Sequence, residues 1–254
     1  TLTLEACMST LARTAYVPRL VHVTDDPDYV DEETALGTDD LTAAKLGGAP
    51  FLSKEAPAPR CGKCKQPLRF VLQLRRDDLP AAAHGLWTAA LLQMFWCDDC
   101  QSEGGSENAW SKSALLREVA LTDPIAAAPQ EEGDEREALA VTFIRDWREV
   151  RDYPSPLVKE LAAALGVSPK SAATREQLEA LGEAMHEAGL GPQEGLKVGG
   201  WPRWVSEPET VKCKCKAVMS PSLQLGDAIA VGDGGSTWIV LCGACGKQAY
   251  LCQQ

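Results

Sequence analysis

Short apolar runs bounded by turn residues occur along the chain in two sets. The first set comprises residues 71–74 and 91–96, and the second comprises residues 218–225 and 237–241. Such runs are typical of strands that are buried on both faces. In the second set, the Gly-Asp-Gly-Gly sequence at residues 232–235 predicts a tight turn, because Gly and Asp tolerate a positive φ. The pattern therefore predicts two β-rich parts that contain hairpins.

Helix boundary signals lie between these two parts. Ser155 and the proline after it predict the start of a helix that ends at Gly166. A second predicted helix begins between Ser168 and Thr174 and ends near Gly189. Serine or threonine caps, an early proline and a terminal glycine are the usual signals. We therefore expect a partly helical connector between the β-rich parts.

The two β-rich parts share several motifs in the same order. Lys45-Leu-Gly-Gly-Ala-Pro and Lys197-Val-Gly-Gly-Trp-Pro both follow the pattern Lys-apolar-Gly-Gly-x-Pro. Each is followed by two close-spaced cysteines, by Leu-Gln-Leu (residues 72–74 and 223–225), and by an apolar run that ends in Cys-x-x-Cys. Repetition of an ordered set predicts an internal duplication. The paired glycines predict a structural turn with backbone angles that other residues disfavour.

These patterns predict a mainly β fold with α-helices (α+β class) that is internally duplicated. Two β-rich halves, each with a four-cysteine zinc site, are joined by the partly helical connector. The predicted boundaries are residues 1–110 for the N-terminal half with the first zinc site, residues 111–190 for the connector with two helices, and residues 191–254 for the C-terminal half with the second zinc site.

Eight of the ten cysteines form close-spaced pairs, which is how a chain presents four thiolates to one metal ion. The predicted ligands of the first site are Cys61, Cys64, Cys97 and Cys100, and those of the second are Cys213, Cys215, Cys242 and Cys245. We expect two zinc ions as cofactors. Iron and disulfides are the alternatives. Sites formed across the halves are a further alternative, although a duplication favours sites within each half.

The formal net charge of −11 disfavours binding to nucleic acid, because lysine and arginine supply most of that affinity. We see no apolar run of about 18 residues and no leader pattern, so we expect no membrane partner and a cytoplasmic protein. The cysteines are nevertheless flanked by cationic residues, namely Arg60, Lys63, Lys65, Lys212, Lys214 and Lys216. We expect these residues to offset the negative charge of the thiolates, and contact with nucleic acid is the alternative.

An acidic stretch precedes the first Gly-Gly motif. It contains eight carboxylates and no Lys or Arg between Leu20 and Ala44, and its acidic residues are Asp25, Asp26, Asp28, Asp31, Glu32, Glu33, Asp39 and Asp40. Such a stretch is either a solvated loop or a docking surface for a basic protein. The candidate partner-binding residues are the first six.

Three repeated elements resemble the bacterial YwqG-like family of unknown function: Lys-x-Gly-Gly-x-Pro, Leu-Gln-Leu and Cys-x-x-Cys. Asp146-Trp147-Arg-Glu and the later Asp152-Tyr-Pro are also similar to a segment before that family's second half, so the resemblance spans about residues 40–254. The chain is similar, more distantly, to programmed cell death protein 2 and its yeast relatives, which are dedicated chaperones of a ribosomal protein. The resemblance implies a mainly β, duplicated fold and a protein-binding role.

No catalytic motif is recognisable in the sequence. His22, His84 and His186 are scattered, and no nucleophile or dinucleotide pattern occurs. The leading hypothesis is a zinc-stabilised protein-binding module that acts as an adaptor or dedicated chaperone-like protein for a basic partner. The alternatives are an immunity protein that neutralises a toxin, and an enzyme whose site is not visible in the sequence.

Overall fold

The computed structural model describes residues 4–23, 40–100, 108–125, 139–226 and 235–253. Within these residues, ten strands form one sheet and all neighbouring strands are antiparallel. The strands are β1 (Arg13–His22), β2 (Lys45–Leu46), β3 (Arg69–Arg75), β4 (Leu91–Trp96), β5 (Ala114–Val119), β6 (Thr142–Asp152), β7 (Lys197–Gly199), β8 (Ser220–Gln224), β9 (Ser236–Leu241) and β10 (Gln248–Gln253). The α-helices are α1 (Leu4–Leu11), α2 (Val158–Leu165) and α3 (Ala172–Glu187). Two short 3-10 turns, Arg76–Asp78 and Ala81–Leu86, connect β3 to β4.

The order of the strands is symmetric about the centre of the sheet. It reads β10-β9-β8-β7-β1-β6-β2-β3-β4-β5, so β2 to β5 lie on one side of the β1–β6 pair and β7 to β10 lie on the other. β1 precedes β2 in the chain but pairs with β7, and β6 precedes β7 but pairs with β2. β1 and β6 thus each pair with a strand on the far side from the one that follows them in the chain, and all ten strands belong to one sheet.

The mainly β character and both predicted helices are confirmed. The predicted apolar runs lie in β3, β4, β8 and β9. Gly166 ends α2 with a φ of 66°, and the Ser171 side chain caps α3 by accepting the N–H of Thr174 at 3.1 Å. The segment predicted as a connector, residues 111–190, contains β5 and β6 of the sheet in addition to the two helices. Most of the turn predicted at residues 232–235 lies outside the described residues.

The sheet curls until its edge strands β5 and β10 contact each other. Its interior holds one apolar cluster with side chains from both halves, including Leu72 and Met94 from one half and Leu223 and Ile239 from the other. Across the closure, the rings of Trp96 and Tyr250 meet edge to face with their centroids 5.5 Å apart. The three helices pack together over a separate apolar cluster at one end. No helix in the described part of the chain is long and apolar enough to cross a membrane.

The glutamine of the first Leu-Gln-Leu motif, Gln73, is fully buried and acts as a clamp. Its side-chain carbonyl accepts the backbone N–H of Phe51 at 3.0 Å. Its amide group donates to the carbonyls of Leu41 and Ala43, both at 2.9 Å. Gln93, its cross-strand partner on β4, donates a further hydrogen bond to the same side-chain carbonyl at 2.8 Å. Strand β3 is thereby fixed to the segment that surrounds Lys45.

The second Leu-Gln-Leu motif makes the corresponding contacts. Gln224 accepts the N–H of Arg203 at 2.8 Å and donates to the carbonyls of Gln193 and Gly195 at 3.1 and 3.0 Å. Its cross-strand partner Trp238 donates to it at 3.2 Å. In both halves the bonded backbone groups lie four and two residues before, and six residues after, the lysine of the Lys-apolar-Gly-Gly-x-Pro motif. In each half, hydrogen bonds from the glutamine of Leu-Gln-Leu therefore hold the Lys-apolar-Gly-Gly-x-Pro segment in place, and we call this arrangement the glutamine clamp.

The paired glycines have positive φ angles in both copies: 64° and 69° at Gly47 and Gly48, and 73° and 71° at Gly199 and Gly200. A Cβ atom at Gly200 would clash with Oδ2 of Asp152. Glycine is therefore required by both backbone angle and space, as the predicted structural turn implies.

A buried ion pair joins the end of β6 to the second Gly-Gly segment. Asp152 accepts hydrogen bonds from Nζ of Lys197 at 2.8 Å and from the N–H groups of Gln193 and Trp201, both at 2.6 Å. Both charged side chains are 0% exposed. Burial lowers the pKa of Lys197, and the carboxylate of Asp152 opposes that shift. This ion pair connects the Asp152-Tyr-Pro segment to the lysine of the second Lys-apolar-Gly-Gly-x-Pro motif.

Replacing Gln224 with Leu should lower the free energy of unfolding by about 3 kcal/mol or more, because the buried indole N–H of Trp238 and three part-buried backbone groups lose their partner. An unpaired buried polar group costs about 1–3 kcal/mol. Urea unfolding provides the measurement. Gln177→Leu on the exposed side of α3 is the matched control, with an expected change within about 0.5 kcal/mol. Equal midpoints for the two variants would show that the clamp contributes little.

Replacing Lys197 with Met should lower the free energy of unfolding by about 3–5 kcal/mol, because it leaves the carboxylate of Asp152 charged and buried without the lysine that pairs with it. The control is Lys159→Met, which removes the pair with Glu207 whose side chains are 66% and 81% exposed. We expect that exposed pair to contribute about 0–1 kcal/mol. Unfolding by guanidinium compares the two, and similar losses in both variants would contradict the assignment of Asp152–Lys197 as a structural pair.

Candidate metal centres

The eight paired cysteines form two clusters, and in each cluster the four sulfurs lie within 4.8 Å of one another. Sulfur separations of 3.5 Å join Cys64 to Cys97 in the first cluster and Cys213 to Cys245 and Cys215 to Cys242 in the second. A tetrahedral ion with metal–sulfur bonds of about 2.3 Å requires sulfur separations of about 3.8 Å. All ten cysteines are free, so the disulfide alternative is not found. Both clusters could hold a metal ion.

Strand register explains why these cysteines meet. In the first half, Arg69 at the start of β3 pairs with Trp96 at the end of β4, so the loop before β3 and the loop after β4 lie at the same end of the hairpin. In the second half, Ser220 of β8 pairs with Leu241 of β9 in the same way. Each cluster therefore draws its cysteines from its own half, and the alternative of sites across the halves is not adopted.

Three of the cysteine loops have the same backbone turn. The residue after the second cysteine has a positive φ in each: 69° at Lys65, 74° at Lys216 and 70° at Gly246. The first cysteine closes each turn by donating its N–H to a carbonyl further along: Cys61 to Gln66 at 2.8 Å, Cys213 to Ala217 at 2.9 Å, and Cys242 to Lys247 at 2.9 Å. The lysines adopt an angle that usually belongs to glycine, so the cysteine turn dictates the conformation there.

Backbone donors favour the thiolate form in each cluster. Burial raises the pKa of Cys61, but the N–H groups of Cys64 and Lys63 outweigh it and bring the value to about 7. In the second cluster, burial is likewise outweighed at Cys242, where the N–H of Ala244 contributes to a pKa of about 7. Burial raises the pKa of Cys97 to about 12, with its cysteine neighbours adding to the shift. One thiol per cluster thus ionises readily, and four adjacent thiolates require a bound cation.

Each cluster lies half in the core and half at the surface. Cys61 and Cys97 are buried beside Phe70 and Phe95. Cys213 and Cys242 are buried in a cluster that contains Trp238. The second cysteine of each pair is more exposed. An ion held at either position would therefore connect the apolar core to a surface loop.

Two of the cationic side chains that flank the cysteines contact groups other than the sulfurs. Lys65 donates to the carbonyl of Gly62 at 3.1 Å, and Nζ of Lys214 lies 4.9 Å from the ring centroid of Trp110. In the described residues, none of the six flanking cationic side chains makes a hydrogen bond to a cysteine sulfur. Any compensation of thiolate charge acts through space.

Residues 108–113 join the two clusters. The N–H groups of Gly62 and Cys97 donate to the carbonyls of Lys112 and Ser113 at 2.9 and 2.8 Å. Three residues before Ser113, the indole N–H of Trp110 donates to the carbonyl of Lys212, beside Cys213, at 3.2 Å. Sequence reasoning did not identify this segment, because no local pattern indicates that the chain after the first cluster contacts the second.

The remaining candidate residues do not form a site in the described part of the chain. Asp25, Asp26, Asp28, Asp31, Glu32, Glu33 and Asp39 lie outside the described residues. The Asp40 carboxylate accepts both the N–H and the hydroxyl of Thr42 at 2.7 Å, and the hydroxyl bond is the main cause of its lowered pKa. His22 contacts Thr142 and His84 contacts the Leu79 carbonyl, so each makes a local structural bond.

The fold and the cysteine clusters define a mainly β protein with two four-cysteine centres that could hold metal ions. The chain belongs to the family described as Domain of unknown function (DUF1963), whose model matches residues 44–242. The match begins just before Lys45 and ends at Cys242, so it includes both clamp glutamines, all four cysteines of the first cluster and three of the four cysteines of the second. No curated protein matches the chain.

Proposed function

We propose that this chain is a zinc-stabilised protein-binding module that acts as an adaptor or dedicated chaperone for a basic partner. The observation that carries the proposal is the closed donor set of each cysteine cluster. Four thiolates occupy every position of a tetrahedral ion, whereas catalytic zinc keeps a position for water or substrate. The metal would therefore stabilise the fold.

Zinc is the ion that best suits these clusters. Tetrahedral sets of four sulfurs are typical of zinc and of iron. The sulfurs of each cluster converge from two tight turns, an arrangement suited to one ion rather than to several. Zinc has no redox chemistry, which agrees with a structural role.

Four buried polar side chains have their partners inside the fold, which supports a binding role over a catalytic one. Gln73 and Gln224 are saturated by backbone partners, and Asp152 and Lys197 are paired with each other. These four side chains therefore have structural roles. The net charge of −11 and the acidic stretch at residues 25–33 favour a basic protein as the partner.

We also propose that the two halves descend from one duplicated unit. The symmetric strand order and the corresponding bonds of Gln73 and Gln224 support this origin. The exchange of β1 and β6 would then have merged two copies into one sheet.

Elemental analysis of the untagged protein should find two zinc ions per chain. Cys61→Ser and Cys242→Ser should each lose about one ion and melt at a lower temperature, because structural zinc supplies folding free energy. Cys7→Ser is the control, since Cys7 is buried but outside both clusters. Iron in place of zinc, or fewer than one ion per chain, would contradict the metal assignment, and unchanged metal in both ligand variants would contradict the ligand assignment.

Capture from lysate at low salt should recover basic proteins that are lost when Asp25, Asp26, Asp28 and Asp31 become Asn, because the acidic stretch supplies the attraction. The control removes the same charge from the exposed side of α3, by changing Glu176, Glu179, Glu183 and Glu187 to Gln. The control should keep the captured proteins. Capture that is equal for both variants would refute docking through the acidic stretch.

A further inference from the structure

We propose that a basic patch around the two cysteine clusters is a docking surface for an acidic segment of a partner protein. The basic patch consists of six exposed lysines: Lys63, Lys65, Lys112, Lys212, Lys214 and Lys216. It uses none of the residues of the acidic stretch and binds the opposite charge. It would therefore give the protein a second docking surface.

The patch is continuous because residues 108–113 connect its two sides. Gly62, next to Lys63, donates its N–H to the Lys112 carbonyl at 2.9 Å, and a Cβ atom at Gly62 would lie 2.6 Å from Cβ of Lys112. Trp110, two residues earlier, bonds the carbonyl of Lys212. Two extended residues span at most about 7 Å. The backbone segments that carry the lysines of the first and second clusters are therefore neighbours.

The six lysines are not used inside the protein as ion-pair partners. None forms a salt bridge with a carboxylate of the described residues. Other cations do find such partners: Lys159 pairs with Glu207 at 2.6 Å and Arg203 pairs with Glu194 at 2.8 Å. The chain has 36 acidic and 25 basic residues, so carboxylates are plentiful, yet none of the described ones forms a salt bridge with these six lysines.

The loop between Cys97 and Cys100 contains two acidic residues, of which Asp98 is paired within the protein and Asp99 is exposed. Asp98, between Cys97 and Cys100, accepts a bond from Arg69 at 2.7 Å. Arg69 lies at the start of β3 and is outside the patch. The ammonium groups of the patch also make no hydrogen bond to a sulfur in the described residues. Lys65 donates to the Gly62 carbonyl and Lys214 lies over the ring of Trp110. The other four lysines of the patch are left available to carboxylates of another molecule.

The composition of the patch favours carboxylates over nucleic acid. The six cations of the patch are lysines, which act as point charges, whereas phosphate recognition favours the planar fork of arginine. The neighbouring Arg60 already donates to the Lys65 carbonyl at 3.2 Å. Single-stranded nucleic acid also needs aromatic faces for stacking. Trp110 is covered by Lys214 on its ring, and its indole N–H is bonded. A long polyanion would furthermore extend beyond the patch onto a protein with a net charge of −11.

The test measures fluorescence anisotropy of a labelled peptide of alternating Glu and Asp as the full-length, zinc-loaded protein is added at low salt. A labelled polylysine peptide and a labelled oligo-dT of equal length are the comparison probes. The patch variant changes Lys63, Lys112 and Lys212 to Gln, which avoids the lysines with positive φ. The control changes the exposed Lys54, Lys170 and Arg175 to Gln, for the same change in net charge.

We expect the patch variant to bind the acidic peptide at least about tenfold more weakly, the control to stay within about twofold, and added salt to abolish the difference. Metal content is measured for each variant, and if the patch variant has lost zinc, Lys112→Glu alone replaces it and should show the same direction. Absence of binding to the acidic peptide, or equal weakening of both variants, would overturn the proposal.

Two further outcomes would assign a different occupant. Tighter binding of oligo-dT than of the acidic peptide would identify nucleic acid. Sedimentation that detects a dimer of the parent at low salt, lost in the patch variant, would identify a second copy of the chain. Lysate capture through the acidic stretch uses other residues, so failure of either proposal is distinguishable from failure of the other.

Discussion

Two buried glutamine side chains bind the segments before and after each Gly-Gly motif to the sheet. Gln73 and Gln224 each bond one backbone N–H and two backbone carbonyls of the segments before and after a Gly-Gly motif. An unpaired buried group costs about 1–3 kcal/mol, so each buried glutamine favours packing of both segments against the sheet. The Gly-Gly turn is the short connection that makes this geometry possible, since all four glycines have a positive φ.

The glutamine clamps also influence where the cysteine clusters form. Each glutamine receives a bond from its cross-strand partner, Gln93 or Trp238, and this bond reinforces the register of the hairpin. Both hairpins have a bulge at the same place, next to Phe70 in one and next to Pro221 in the other. With that register, the loops before and after each hairpin meet at one end. Strand pairing brings the four cysteines of each cluster together. The number of residues between the two cysteine pairs of a cluster reflects the hairpin that lies between them.

The sequence predicted the features that depend on local pattern. Residues of β3, β4, β8 and β9 form apolar runs, the helices have caps, and the cysteines recur in pairs. It did not predict β1, β5 or β10. β1 contains Pro18 and has few buried residues, and its pairing with β6 joins positions as distant as Arg13 and Asp152. β5 is a partly exposed edge strand, so its apolar pattern is weak. Contacts of this kind depend on the whole sheet and leave no signature within a short window.

The placement of the cysteines links stability to the surface that would bind partners. In each pair one cysteine is buried and the other is more exposed, so an ion at the centre joins the apolar core to a loop that carries lysines. Lys65 and Lys216 have a positive φ that ordinary lysines avoid, and they hold it where the cysteine turn closes. Residues 108–113 then bond to the loops of both clusters. Loss of metal from one cluster would therefore free its lysine loop and weaken the contact that orients the other. In this architecture a metal ion held at either cluster would affect both the presentation of the charged surface and the stability of the fold.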